Sequence, residues 1–136
     1  MLMVEYDHFI KVFYRDVDQM GIVYYARYLE YFEEARTELL DSLDLSVSLV
    51  EDKGIQLPVI VSHCEYFAGA KLEDKLLVRT SIRQMPKATL TIDYSVKNSI
   101  SHQKIVTGFT KHAFIDKKGA PKRVPKFILN KLKAHY

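Results

Sequence analysis

Hydrophobic and polar positions alternate most clearly from Thr89 to Val96. Leu90, Ile92, Tyr94 and Val96 fall on one side, and Thr89, Thr91, Asp93 and Ser95 on the other. That period of two is the mark of a strand with one buried face. Leu57–Phe67, Lys75–Gln84 and Gln103–Ile115 carry the same β-branched and aromatic bias, as does the earlier segment Phe9–Tyr14. Met85-Pro86-Lys87-Ala88, the polar run Asn98–His102, and Asp116-Lys117-Lys118-Gly119 read as turns, as does Lys53-Gly54 before the second strand.

From about Tyr25 to Leu43 the period becomes helical. Tyr28, Leu29, Phe32, Ala35, Leu39, Leu40 and Leu43 form one broad arc, opposed by Glu30, Glu34, Thr37, Glu38 and Asp41. No Gly or Pro interrupts the run. The arc is wider than a coiled-coil seam, so a sheet wrapped against it is the better receptor. A second, short helix is expected over Lys126–Lys133. The order strand, helix, four closely connected strands predicts an α+β fold, with an antiparallel sheet of about five strands against one long helix. One face or edge of such a sheet is left open, which predicts self-association.

At 136 residues, with 48% hydrophobic and 27% charged positions, the chain suits one domain over 1–136. A net charge of +3 is too small to imply nucleic-acid binding. No apolar run approaches the roughly 18 residues of a membrane helix, and Met1–Tyr6 is too short and acidic for a leader. With Cys64 as the single cysteine, no intrachain disulfide can form, and a cytoplasmic location is expected. His8, His63, His102, His112 and His135 lack metal-ligand spacing, so no metal and no cofactor are expected. Cys64 has no neighbouring pattern of a nucleophile.

The segment Asp16-Val17-Asp18-Gln19-Met20-Gly21, directly ahead of the long helix, concentrates the chemistry. A helix N-terminus offers unpaired N–H groups to an oxygen that becomes negative during acyl transfer. A carboxylate beside it is a nucleophile or a general base for water. Taken alone, the more ordinary role of Asp16 and Asp18 is to cap a turn and favour the helix dipole.

Phe13-Tyr14-Arg15-Asp16-Val17-Asp18, with Gly21-Ile22-Val23-Tyr24-Tyr25-Ala26-Arg27-Tyr28-Leu29, resembles the signature of the 4-hydroxybenzoyl-CoA thioesterase family. It also resembles the related bacterial acyl-CoA thioesterases of the Tol–Pal envelope system. The likeness continues at Glu33-Glu34-Ala35-Arg36, Glu65-Tyr66-Phe67-Ala68-Gly69-Ala70 and Leu72-Glu73-Asp74. It implies the hot-dog fold, hydrolysis of an acyl-CoA, and a homodimer or homotetramer. It places the catalytic carboxylate at Asp18, the carbonyl-polarising backbone amide at Tyr25, and substrate contacts at Gly21, Ile22 and Val23. The envelope-associated members have histidine where this chain has Tyr25, so an imidazole base at that position is not expected.

Coenzyme A carries phosphates, which makes Lys87 and Arg123 candidate contacts. Asp116–Tyr136 holds seven basic residues against one acidic, and for most of these a solvated tail is the simpler role. Arg36 interrupts the apolar arc of the helix; Glu33, one turn earlier, is placed to pair with it as structural support. The functional alternative is that Arg36 orients the catalytic loop. A hot-dog dehydratase would need a histidine near the helix start, and none is there. A non-catalytic acyl-CoA binding or scaffolding protein is the remaining alternative.

Overall fold

The computed structural model describes residues 3–135. Met1 and Leu2 of the segment weighed as a leader, and Tyr136 at the end of the basic tail, lie outside the described residues. The elements in chain order are β1 (Val4–Lys11), α1 (Arg27–Ser42), α2 (Val47–Asp52), β2 (Val59–Tyr66), β3 (Lys75–Ile82), β4 (Thr89–Asn98), β5 (Lys104–Ile115), β6 (Pro121–Lys122) and α3 (Lys126–Ala134). The sheet runs β1-β3-β4-β5-β2, antiparallel throughout, with the two-residue β6 added to the end of β5.

α1 lies across one face of this sheet. Tyr28, Phe32, Ala35 and Leu39 share one buried cluster with Leu76, Val78, Ile82, Leu90, Ile92, Tyr94 and Val96. The alternation expected in β4 is therefore real, its apolar side facing the helix. The Phe32 ring stacks on Tyr94 at 4.1 Å and 6°, and removing a ring so placed costs about 3–5 kcal/mol. The arc needs two corrections. Leu29 is largely exposed, and Tyr31 is buried in its place, its ring edge-on to Tyr28 at 5.7 Å.

The first strand spans Val4–Lys11, not Phe9–Tyr14. Asp16 accepts from the Phe13 N–H at 2.9 Å and turns Tyr14–Asp16 into one 3-10 turn, so the chain leaves the sheet before the aromatic pair. α2 was not foreseen. Ser46 caps it by accepting from the Leu49 N–H at 3.2 Å, and Gly54 at φ +82° ends the turn that follows.

A polar chain crosses the core. The His112 Nδ1–H donates to the Leu57 carbonyl at 3.0 Å. Nε2 is then an acceptor for the Thr110 hydroxyl at 2.8 Å, and Thr110 in turn takes the Tyr94 hydroxyl at 2.6 Å. Burial pushes the His112 imidazole below its ordinary value; the Leu57 carbonyl opposes this, and the Arg36 charge adds to it. The folded chain thus refuses a proton that the unfolded chain accepts below about pH 6.5. The stabilisation is present above that pH and is lost as pH falls through the lowered folded value. Urea unfolding at pH 7.5 and 5.5 is expected to show a smaller loss on acidification in His112→Gln than in the native chain. Equal losses would show that His112 does not carry this dependence.

Candidate active site

The loop between β1 and α1 is tied to the sheet from both sides. Val12 N–H donates to Asp74 O, and Glu73 N–H to Val12 O, both at 2.9 Å. Val23 N–H reaches Ala70 O at 2.9 Å, and Ile22 bridges to Lys71. Within the loop the two aspartates divide the roles that sequence alone leaves shared. Asp16 is buried, holds the Phe13 amide, and has the Arg27 and Arg15 guanidinium groups 3.9 and 4.0 Å from its Oδ1. It is the capping carboxylate.

Asp18 is only half-buried. Its N–H donates to Ile22 O at 2.9 Å, and its carbonyl accepts from Gly21 N–H at 3.0 Å, closing a turn in which Gly21 sits at φ +78°. That left-handed angle favours glycine. The carboxylate folds back on the turn, Oδ1 accepting from the Met20 N–H at 2.8 Å. Among the described residues Oδ2 has no protein partner, so one oxygen fixes the group and the other is available. Gly21, Ile22 and Val23 are thus brought together with Asp18, as the rim of its turn.

α1 begins at Arg27, with Ala26 as a cap that has no side-chain bond. Tyr25 therefore precedes the helix, which was expected to start there. Among the described residues its N–H finds no protein acceptor, while its carbonyl accepts from the Tyr66 hydroxyl at 3.1 Å. Arg27 braces the entry, gripping Glu30 at 2.9 and 3.0 Å and donating to Arg15 O at 3.1 Å. An uncapped first turn with its neighbour held by a side chain is a ready donor site for an anionic oxygen.

Tyr66 was not singled out for the site. It lies on β2, where its ring meets Tyr25 and Tyr28 edge-on at 6.4 and 5.8 Å. Loss of water around the hydroxyl, then the Cys64 thiol, pushes this phenol up to about 12, so it stays a neutral donor. Burial also raises the Cys64 thiol, which keeps it protonated and a poor nucleophile. Among the described residues the buried hydroxyls of Tyr28 and Tyr31 have no hydrogen-bond partner; burial, then the Asp16 charge, raises Tyr31.

Gly69 packs against the loop from behind. A Cβ there would meet Ile22 Cγ2 at 2.8 Å, forcing back the residue whose carbonyl holds Asp18. Gly69→Ala is expected to lower turnover about 10- to 100-fold through misplacement, with little change in melting temperature, as steady-state kinetics and thermal unfolding would read. Undiminished turnover would count against the role of this contact.

Lys87 and Arg123 lie close to one another, the Val124 N–H donating to Lys87 O at 2.7 Å. They sit at the start of β4, whereas the Asp18 loop neighbours the ends of the sheet at Asp74 and Ala70. Within one chain the fold does not bring them to Asp18. Arg36 meets Glu33 at 3.8 Å, nine helical positions beyond Arg27, or about 13 Å along the axis from the loop. Among the described residues no group of His, Cys, Asp and Glu could hold a metal ion.

An antiparallel sheet packed on one long helix is the hot-dog fold of the thioesterase class. The profile of the thioesterase-like superfamily matches residues 12–132, and the chain belongs to that superfamily. It is 38% identical over 85 residues to the acyl-CoA thioesterase YbgC of Haemophilus influenzae, a match covering 62% of each chain. Against the 1,4-dihydroxy-2-naphthoyl-CoA hydrolase of Synechocystis it is 30% identical over 115 residues, 82% of this chain and 83% of that one. The solved 1,4-dihydroxy-2-naphthoyl-CoA thioesterase of Synechocystis superposes with a TM-score of 0.86 at 25% identity, covering 95% of this chain and 96% of the other.

Proposed function

We propose that this chain is an enzyme that hydrolyses an acyl-CoA thioester to the free acid and coenzyme A, with Asp18 as its reactive carboxylate. The observation that carries the reading is the pairing on one short segment of a pinned carboxylate with a free oxygen and an unpaired Tyr25 N–H. The thioester carbonyl accepts from Tyr25 N–H, which stabilises the negative oxygen that develops as the carbon becomes tetrahedral. Asp18 Oδ2 then either attacks that carbon, forming an anhydride that water opens, or takes a proton from an attacking water. In both routes the electron pair of the broken C–S bond leaves on sulfur, which receives a proton as the thiol. Gly21, Ile22 and Val23 line the approach, and Glu33 with Arg36 supports the helix.

The enzyme acts as a homodimer or homotetramer in the cytoplasm. Among the described residues no helix is long and apolar enough to cross a membrane. β2 is an edge strand whose Val59, Ile60 and Val61 are exposed, a surface that a second copy would cover by adding its own β2 in the antiparallel sense. In such a pairing the β4 start of one copy would lie on the Asp18 side of the other, and its Lys87 and Arg123 are the proposed contacts to the coenzyme phosphates.

Thiol release measured across aliphatic and aromatic acyl-CoAs tests the reading and reports the substrate class. Release above the uncatalysed rate is expected for at least one of them. Tight acyl-CoA binding without release would replace it with the non-catalytic reading.

A further inference from the structure

Toward the C-terminal half of α1, away from Tyr25, a cavity of about 450 Å³ opens between α1, α2 and the chain entering β2. Leu40, Val47, Val50, Ile55 and Leu57 give it apolar walls, and the buried His112 closes its floor. One cation stands among them. The Arg36 side chain is 16% exposed, and its nearest carboxylate is Glu33 at 3.8 Å, whose own side chain is 72% exposed. Inside the cavity the guanidinium interacts with the neutral Tyr94 hydroxyl, and among the described residues no carboxylate lies closer to it than Glu33. His112 has nothing to offer, since both its ring nitrogens are already committed to Leu57 and Thr110.

A cation largely withdrawn from water, whose one carboxylate partner is distant and solvated, is only partly compensated. The planar fork of an arginine matches one ligand group above others, a carboxylate. A cavity of this size is in the range that holds a small organic molecule.

We propose that this cavity binds a carboxylate carried on an apolar chain, with the anion on Arg36 and the chain along Leu40, Val50 and Ile55. Glu33 and Glu51, the other charged groups lining it, restrict the occupant to a single negative charge. Glu33 is then a weak competitor for Arg36. The carboxylate has two sources: a free acid, such as the product of thioester hydrolysis, or the distal carboxylate of an acyl group still attached to coenzyme A. The second rests on the function proposed above; the first stands without it.

The probes are octanoate, octanol, octanoyl-CoA and suberoyl-CoA. Calorimetric titration is expected to show saturable octanoate binding, with methyl NMR shifts at Ile55 and Leu57, and at least tenfold weaker binding of octanol. Arg36→Met should weaken octanoate at least tenfold, and Glu33→Gln should tighten it severalfold. Ile55→Trp, which fills the cavity but keeps Arg36, should also weaken it, and guards against misfolding of the arginine variant. In the kinetic arm, Arg36→Met should lower kcat/KM for suberoyl-CoA relative to octanoyl-CoA at least tenfold. Arginine dependence in the titration alone assigns the free acid; dependence in the kinetic ratio alone assigns the acyl group. Octanoate binding and a kinetic ratio that both ignore Arg36→Met and Ile55→Trp overturn the proposal. Should no acyl-CoA be hydrolysed, the titration still decides the cavity, separately from the failure of the catalytic reading.

Discussion

Asp18→Asn is expected to lower thioester hydrolysis by about 10²–10⁴-fold, the range contributed by a positioned proton acceptor, and by more if the carboxylate is the nucleophile. The substitution removes charge and little else. An asparagine Oδ1 still accepts from the Met20 N–H, so the turn closed by Gly21 N–H and Ile22 O persists. Melting temperature and acyl-CoA affinity should therefore change little, which makes the loss appear in kcat and not in KM. Thiol-release kinetics on the purified variant, beside calorimetric binding of a nonhydrolysable acyl-CoA thioether, provide the measurement. Turnover near the native rate would falsify the assignment of Asp18, whatever the rest of the loop does.

Gly108→Ala is expected to destabilise the fold by about 3 kcal/mol or more, at the upper end of overpacking costs. A Cβ at this position in β5 would drive into the His63 carbonyl oxygen and approach Phe32 Cε2 at 2.9 Å. The first obstacle is backbone, so no rotamer change relieves it. The second is the ring stacked on Tyr94, so relief there would unseat α1. At roughly 3–5 °C per kcal/mol for a chain of this size, melting should fall by about 10 °C or more, or the protein should be recovered insoluble. Thermal and urea unfolding read the effect, and a native-like melting temperature would show that β2 can retreat from β5 at no cost.

The elements most legible in sequence were those whose period had room to repeat. β4 alternates over its whole length, and α1 sustains its arc for four turns, so both were placed with only their ends in error. α2 covers six residues, too few for a helical period to stand out. In β1 the inward positions include Tyr6 and His8, whose polar atoms hid the alternation, and the aromatic pair Phe13-Tyr14 drew the strand too far along the chain. Gly108 offered a signal of its own, since glycine inside a strand marks a close approach, but what approaches was decided by register with β2.

At the site, residue chemistry alone left the two carboxylates undistinguished, and only the family resemblance singled out Asp18. Which one is buried depends on the direction each side chain takes from the 3-10 turn. Tyr66 entered the site through a partner 41 positions away, a separation that no local pattern reports. Lys87 and Arg123 were chosen for charge alone. Their proximity follows from a single backbone bond between the β3–β4 turn and the chain after β6.

The Tyr66 hydroxyl gives the edge strand a second property. Among the described residues β2 has only β5 as a neighbour, and its free side is a row of unspent backbone donors and acceptors. The same strand ends in the phenol that holds the carbonyl next to the unpaired Tyr25 amide. Whatever docks along that edge therefore acts on a lever whose short arm is the amide proposed above to bind the thioester oxygen. Dilution that strips the edge bare should loosen the amide as well, so that specific activity, and not merely stability, would depend on protein concentration.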